Sequence, residues 1–150
     1  MTEREALGPD APTGGRPGVR ALDGRFSIHR LAPDSELPAE LAREPMVWVG
    51  RTEDELSVVC RDRVELEASG EVSPGWRAIQ VEGPLDFGIV GLLAEMTGAL
   101  AAAGISVFAL STFDTDYVLV REERLDEALE RLRAAGFGAH QPPRSGERAP

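Results

Sequence analysis

Two short segments concentrate the polar residues that could bind a small charged molecule. The first, GPLDF at 83–87, ends a strand-like stretch and opens one with helical apolar periodicity. The second, STFDTD at 111–116, places two carboxylates, Asp114 and Asp116, directly before an apolar strand pattern. No Arg lies between residues 82 and 120, so nothing in that stretch neutralises these acids. The pattern favours a cationic or zwitterionic ligand over a phosphate.

A free amino acid is a zwitterion, so it needs an anion site and a cation site a few Å apart. A helix that begins at Asp86 would present unpaired N–H groups from Phe87, Gly88 and Ile89 at the positive end of its dipole. These groups form a carboxylate site. The carboxylates of Asp86 and of the second segment can then accept hydrogen bonds from an ammonium group or a cationic side chain.

Each of these residues also has a structural explanation. Asp86 has the type and position of a helix N-cap, and Asp114 is an ordinary turn residue. Asp116 begins an apolar strand, where a charge is less expected, which suggests ligand contact or pairing. Phe113 is unusual in a polar hairpin tip and is interpreted as part of an interface or a pocket wall. A metal site built from Glu82 and the two hairpin acids is a minor alternative.

The composition excludes several classes of chemistry. The 150 residues include 26 acidic and 16 basic side chains, which gives a formal net charge of −10, and every basic residue is Arg. Without Lys there is no Schiff-base nucleophile, no pyridoxal phosphate anchor and no Walker lysine. The acidic balance argues against nucleic acid as a partner, because binding phosphate backbones needs a concentrated basic face.

The cysteine and histidine counts narrow the chemistry further. Cys60 is the single cysteine, which excludes an internal disulfide and a zinc site built from Cys pairs. His29 and His140 are the two histidines, and neither lies near a nucleophile motif, so we expect no catalysis, no metal and no cofactor. The longest apolar stretch, 87–103, is interrupted by glycine and charge, and the N-terminus lacks a signal-peptide core. We therefore expect a cytoplasmic protein that does not bind membranes.

The hydrophobic pattern divides the chain into four segments. A composition rich in Gly, Pro and charge predicts a disordered leader at 1–24 and a disordered tail at 141–150. Between them we predict one unit at 25–75 and a second, more clearly patterned unit at 76–140.

The second unit follows the order strand, helix, strand, strand, helix, strand, which is the ferredoxin-like split βαβ arrangement. Its predicted elements are a strand at 76–83, a helix from Asp86 to Gly104, strands at 105–110 and 116–120, a helix through Leu125, Leu129 and Leu132, and a strand at 137–140. The first unit is a reduced copy with strands at 26–31, 46–50 and 56–60. The predicted fold class is α+β, with two ferredoxin-like (βαββαβ) units, the first reduced.

The first helix of the second unit has two distinct faces. One is apolar and comprises Ile89, Leu92, Leu93, Met96, Leu100 and Ala103. The opposite face is small rather than well solvated and comprises Gly91, Glu95, Gly98 and Ala102. Small residues permit close backbone approach, so this face is either an exposed surface of low charge or a surface that another unit covers.

The stretch EGPLDFGIVGLLAEMTGALAAAGISVFALSTFDTDYVLV, at 82–120, resembles the ACT domains, which are small-molecule-binding regulatory modules. The resemblance is strong over 76–136 and moderate over 26–60. The sequence is most similar to short, stand-alone bacterial members of that family with two ACT-like units. It also resembles the cytosolic arginine sensors of animals. Those sensors have a longer Glu at the position of Asp86, so the resemblance does not imply specificity for arginine.

The resemblance implies an amino acid held at the edge between ACT units, often across a dimer interface. Gly83 and Asp86 would lie at the strand-to-helix turn, and Thr112, Phe113 and Asp116 in and after the facing hairpin. It also implies a homodimer, in which two chains rebuild a four-unit arrangement, and a protein partner that the ligand regulates.

Together these observations predict a non-catalytic, amino-acid-binding regulatory protein. The rival interpretation is a protein–protein interaction or oligomerisation module without a small-molecule ligand, which the small-residue helix face favours.

Overall fold

An eleven-residue strand, β5 (Glu71–Val81), runs through the centre of one eight-stranded sheet. Its first half pairs with β2 (Phe26–Leu31). Its second half pairs with β1 (Gly18–Ala21) on one edge and with β7 (Asp116–Arg121) on the other. All three partners are antiparallel to β5, which therefore belongs to both halves of the sheet.

The computed structural model describes residues 16–66, 70–86 and 89–141. The remaining elements are a 3₁₀ turn at Ala39–Ala42, β3 (Trp48–Arg51), β4 (Leu56–Arg61), α1 (Leu92–Ala102), β6 (Phe108–Ser111), a 3₁₀ turn at Glu122–Arg124, α2 (Leu125–Ala134) and β8 (Gly138–His140). The strand order is β3-β4-β2-β5-β1-β8, while β7 pairs with β5 and carries β6 on its other edge. The architecture is mixed α+β, as expected. The division into two ferredoxin-like units stays a prediction.

The sheet curls so that its two halves face each other. Trp48 of β3 and Tyr117 of β7 are four strand positions apart, which would be roughly 19 Å in a flat sheet. Their ring centroids are nevertheless 5.0 Å apart in an edge-to-face contact. An irregular register between Phe26 and Ile28, and Gly75 at a φ of 80°, mark the region of β5 where the direction changes.

An apolar cluster fills the space between the two halves. Trp48 and Trp76 are partly buried and pack against it. Its fully enclosed members come from four different strands and are Phe26, Val59, Ala78 and Leu119.

The opposite face of the C-terminal half is covered by α1 and α2. The helices contribute a stripe of apolar residues that packs against strands β1, β5, β7 and β8. The helical members of this core are Leu92, Met96, Leu100, Leu125, Ala128, Leu129 and Leu132. In the N-terminal half a smaller cluster lies under the 3₁₀ turn and comprises Leu31, Leu41, Leu56, Val58 and Cys60.

Several predicted elements are confirmed with small changes in their bounds. The hairpin of β3 and β4 forms as expected. Helix α2 has acidic residues in its first turn and Arg131 and Arg133 in its last, and it ends before Gly136, whose φ is 94°. The strand expected at 105–110 is β6, and it begins only at Phe108.

The prediction that residues 1–24 form a disordered leader is wrong for residues 18–21. These residues form β1, which lies between β5 and β8, and Val19 is fully buried. A short strand with Gly and Arg in it has no pattern of its own, so only its pairing with distant strands stabilises it. Residues 1–15 and 142–150 lie outside the described residues.

The predicted boundary between residues 75 and 76 falls inside β5, so no linker separates the two halves there. The pairing of Glu71 to Ser73 with β2 accounts for this, because it extends a strand into residues that have little pattern of their own.

Helix α1 begins six residues later than expected, at Leu92 rather than after Asp86. Two N–H groups of the preceding loop have partners outside a helix: Leu85 donates to the Asp114 carbonyl at 2.7 Å, and Ile89 donates to the Asp86 carbonyl at 3.0 Å. The N-cap is Gly91, at a φ of 85°, and the assignment of Asp86 as the N-cap is wrong.

Because Val19 is fully buried in the helix-covered core, we expect Val19→Ala to lower the free energy of unfolding by about 2 kcal/mol. Val72→Ala is the matched control, since Val72 is 52% exposed, and we expect a loss below about 0.5 kcal/mol there. Urea unfolding followed by circular dichroism measures both. Equal effects of the two substitutions would contradict the placement of β1 in the core.

Candidate functional site

A cleft of about 380 Å³ lies between the first turn of α1 and the turn that joins β6 to β7. Three carboxylates line it, those of Asp86, Asp114 and Asp116, and none of the described lining residues is basic. Apolar walls come from Leu85, Ile89, Leu92 and Leu93 on one side and from Phe113 on the other. The two segments singled out in the sequence therefore meet across one cleft.

The β6–β7 turn is held in shape by its own hydrogen bonds. The Thr112 N–H donates to the Thr115 carbonyl at 2.9 Å, and the Thr115 N–H donates to the Thr112 hydroxyl at 3.4 Å. Ser111 and Asp116 are the paired residues of β6 and β7 nearest the turn. The Ser111 hydroxyl donates to the Asp116 carboxylate at 2.6 Å. Asp116 is half-buried, so its carboxylate is fixed in direction at the cleft wall.

The loop after β5 is tied to this turn from below. The Thr115 hydroxyl is buried and donates to the Val81 carbonyl at 2.6 Å. Gly83 is needed for the close approach: a Cβ there would lie 3.1 Å from the Asp114 carbonyl oxygen and 3.2 Å from the Thr115 Cβ. Gly83, expected at the ligand site, thus packs behind the cleft and positions its wall.

The first turn of α1 supplies N–H groups to the cleft. The N-cap residue, Gly91, has no side chain that could cap this helix end, and the first intrahelical bond runs from the Glu95 N–H to the Gly91 carbonyl at 2.9 Å. The preceding N–H groups, on Leu92, Leu93 and Ala94, belong to lining residues and point out of the N-terminal end of the helix. The N–H groups at this helix start are therefore those of residues 92–94 rather than of Phe87, Gly88 and Ile89, and the anion site stays a prediction.

Of the nine predicted site residues, six line the cleft, two lie outside the described residues, and Gly83 packs behind the cleft. Those that line the cleft are Asp86, Ile89, Thr112, Phe113, Asp114 and Asp116. Phe87 and Gly88 lie outside the described residues. Ile89 lines the cleft with its side chain, but its N–H is bonded to the Asp86 carbonyl, so its predicted role as an anion donor is wrong.

The residue types alone do not reveal that Thr115 joins the hairpin to β5. The signal was present in the alternation of the following strand, since Thr115 is in phase with Tyr117 and Leu119, which are both buried. Glu82, expected to join the acidic cluster, instead lines a different cavity beside β1.

The rim of the cleft carries large exposed apolar side chains. Val90 is 94% exposed, Phe113 is 80% exposed and Ile89 is 50% exposed. The small-residue face of α1 is also exposed in the single chain, apart from the ion pair of Glu95 with Arg16 at 2.8 Å. An apolar rim around a polar cleft is typical of a surface that another molecule covers.

The single cysteine lies in the N-terminal half and does not line the cleft. Cys60 is fully buried, and burial, with smaller contributions from Asp62 and Glu44, raises the pKa of its thiol, so it acts as a small apolar residue of the core. Among residues 16–66, 70–86 and 89–141, no group of three His, Cys, Asp or Glu side chains is arranged to hold a metal ion. No helix in the described part of the chain is long and apolar enough to cross a membrane.

Comparison with known proteins now defines the family. A family model for the ACT domain matches residues 71–134, which extend from β5 to the end of α2 and include the whole described cleft. The chain therefore contains an ACT domain at residues 71–134. A second model, for the N-terminal domain of a related protein group, matches residues 24–65.

The relatives include sensors and regulatory domains. The cytosolic arginine sensor for mTORC1 subunit 1 of Bos taurus is 38% identical over 81 residues, which are 52% of this chain and 24% of the sensor. This ACT chain spans about a quarter of the length of the curated relatives it matches.

Two solved structures illustrate the likeness in fold. A crystal structure of a protein from Agrobacterium tumefaciens has a TM-score of 0.77 and 32% sequence identity, and the match covers 90% of this chain and 100% of that chain. The regulatory subunit of aspartate kinase from Thermus thermophilus has a TM-score of 0.55 and 17% identity, covering 80% of this chain and 98% of that one, and so shares the fold.

The hydroxyl of Thr115 tests the link between the hairpin and β5. We expect Thr115→Val to lower the free energy of unfolding by about 1–2 kcal/mol, because the buried Val81 carbonyl loses this donor. Thr115→Ser retains the hydroxyl and is the matched control, with a smaller loss. Urea unfolding measures both, and a larger loss for Ser than for Val would contradict the role of the hydrogen bond.

His29 makes the stability of the protein depend on pH. It is 8% exposed, its Nε2 has no hydrogen-bond partner, and burial lowers its pKa below 6.5, although Asp62 partly opposes this. The unfolded state then binds the proton more readily, so stability is lost as pH falls below about 6.5. We expect His29→Leu to flatten this dependence between pH 7 and pH 5, by up to about 1.4 kcal/mol per pH unit at the steepest point. Thermal unfolding across that range measures it, with the exposed His140→Gln as a control that leaves the profile unchanged.

Proposed function

We propose that this protein is a non-catalytic regulatory protein that binds a free amino acid in the cleft between α1 and the β6–β7 turn. The observation that carries the proposal is the meeting, across one cleft, of the N-terminus of α1, whose N-cap is Gly91, with the acidic turn of Asp114 and Asp116. The N–H groups of the first turn of α1 would bind the ligand carboxylate. Asp114 and Asp116 would bind its ammonium group or a cationic side chain.

The charge of the cleft limits the class of ligand. An anion without a positive group would meet the helix end but also three carboxylates with no lining base among the described residues. A phosphate would therefore be repelled, whereas a zwitterion matches both ends of the cleft. Two of the similar proteins, an arginine sensor and a regulatory subunit of aspartate kinase, support an amino acid as ligand and a protein as the regulated partner.

A second copy of the chain would complete the site. The exposed rim side chains, Ile89, Val90 and Phe113, surround the cleft and would be covered in a homodimer of chains that each carry two ACT-type units. Ligand binding would stabilise one arrangement of the two chains, and that change would reach the regulated partner by linkage. We place this protein in the cytoplasm, in keeping with the cytosolic sensors it resembles.

The apolar rim also supports a second candidate function, an interaction module in which the ACT-type surfaces only mediate association. Val90, at 94% exposed, is the observation that favours it, since such exposure is unfavourable unless a partner covers the side chain.

Thermal unfolding in the presence of each of the twenty amino acids tests the proposed function. At roughly a hundredfold excess over Kd we expect one of them to raise the free energy of unfolding by about 2.7 kcal/mol and to increase Tm measurably. Asp116→Asn removes one charge without changing shape, so the stabilisation should fall strongly. Asp34→Asn is the matched control, because Asp34 is exposed and far from the cleft in sequence.

The outcomes separate the two candidates. Stabilisation that disappears in Asp116→Asn while sedimentation shows an unchanged oligomer supports amino-acid binding. A folded protein that no amino acid stabilises contradicts it, and dimerisation that is lost in Val90→Asp would then support the interaction module.

A further inference from the structure

A second cavity, of about 420 Å³, lies beside β1 and shares no lining residue with the cleft of α1. Its charged and titratable lining consists of Arg20, Arg61, Asp23, Glu82 and His140. Arg20 and His140 are directly paired in the register of β1 with β8, so they lie side by side at the cavity wall. The cavity thus contains the guanidinium groups that the α1 cleft lacks.

The guanidinium of Arg20 is held in place by a chain of neutral groups. Its Nε and Nη2 both donate to the Gln80 side-chain oxygen, at 3.2 and 3.0 Å. The Gln80 amide nitrogen in turn donates to the Tyr117 hydroxyl at 3.1 Å, and Tyr117 is 8% exposed and packed edge-on against Trp48. A side chain anchored in this way loses little conformational entropy when it binds a ligand.

Arg61 is also fixed by neutral partners. Its Nη1 donates to the Asp23 carbonyl, and its guanidinium lies 4.9 Å from the centroid of the fully buried Phe26 ring. A guanidinium stacked on a ring retains free N–H groups at its edge, which is the geometry used for binding carboxylates.

Neither guanidinium forms an ion pair with the described residues, although Asp23 and Glu82 line the same cavity. Elsewhere in the described chain, five arginines do pair with carboxylates: Arg16, Arg25, Arg30, Arg63 and Arg124. In a chain with ten more acids than bases, two fixed arginines with neutral partners at one cavity keep positive charge available for a ligand.

The acidic side chains of the cavity indicate which group a ligand would carry besides a carboxylate. The Glu82 carboxylate packs over Gly18, where an added Cβ would lie 2.5 Å from its Oε2. Two carboxylates and two guanidiniums leave the charged side chains of the cavity close to neutral overall, which disfavours a multiply charged anion and suits a molecule with one carboxylate and one donor group.

We propose that this cavity is a second ligand site, which binds a small molecule that carries a carboxylate and, a few Å away, an ammonium or hydroxyl donor. Arg20 and Arg61 bind the carboxylate, and Glu82 accepts the hydrogen bond from the donor. Gln80 is a positioning residue that acts by orienting Arg20. The site is independent of the proposed function in the α1 cleft.

Two-dimensional NMR of the uniformly ¹⁵N-labelled full chain tests the site, with L-glutamine, L-lactate and inorganic phosphate as the probes. We expect L-glutamine or L-lactate to shift the amide signals of residues 18–22 and 138–141. Binding at the α1 cleft would instead shift the amide signals of residues 92–94 and 111–116. The experiment therefore tests the two proposed sites separately.

Substitutions then identify the groups responsible. Arg20→Ala and Arg61→Ala should each weaken the binding that shifts residues 18–22 by about tenfold or more. Gln80→Glu keeps Arg20 and the size of the side chain but supplies it with a carboxylate partner, so it should also abolish binding while the spectrum stays folded. Arg131→Ala, an exposed arginine on α2, is the control and should leave the affinity unchanged.

Three results would overturn the proposal. One is the absence of any shift in residues 18–22 and 138–141 with L-glutamine and L-lactate at millimolar concentration. Another is affinity that Arg20→Ala and Gln80→Glu leave unchanged. The third is binding of phosphate alone, which would replace the carboxylate as the recognised group.

Discussion

The structure depends on β5 serving both halves of the sheet. Residues 71–76 complete the N-terminal half by pairing with β2, and residues 76–81 hold β1 and β7 in the C-terminal half. A backbone shared in this way fixes the two halves relative to each other and lets the sheet curl around the cluster of Phe26, Val59, Ala78 and Leu119. The interior is then close-packed from both sides, so neither half can move without opening it.

Hydrogen bonds at and just after the end of β5 position the walls of the cleft. The Val81 carbonyl binds the Thr115 hydroxyl, and four residues later the Leu85 N–H binds the Asp114 carbonyl. These two bonds bring the acidic turn against the start of α1, which would otherwise be connected to it only through β6 and β7. The acidic residues thus lie beside the helix start because of hydrogen bonds to the backbone, and the residue types alone do not predict such bonds.

The sequence predicted the elements whose stability is local. The alternation in FSIHRL and DYVLV and the spacing of Leu125, Leu129 and Leu132 identified strands and a helix, because burial of one face requires those periods. It could not predict β1, since Gly18 to Ala21 are stabilised only by partners far along the chain. Asp86 was misplaced because apolar residues continue into the loop, where hydrogen bonds to the hairpin replace those of a helix. Asp86, Asp114 and Asp116, which the sequence singled out, do line one cleft, and their role in binding a ligand stays a prediction.

The position of β1 has a consequence for how the chain folds during synthesis. Val19 lies between Val81 and Ala139 in the finished sheet, so β1 leaves the ribosome well before β8 and is paired on both sides only when β8 has been made. Such non-local pairing carries a large loop-closure cost and slows folding. An early strand without its neighbours also exposes unpaired backbone edges, which makes this segment the part of the nascent chain most in need of protection from association.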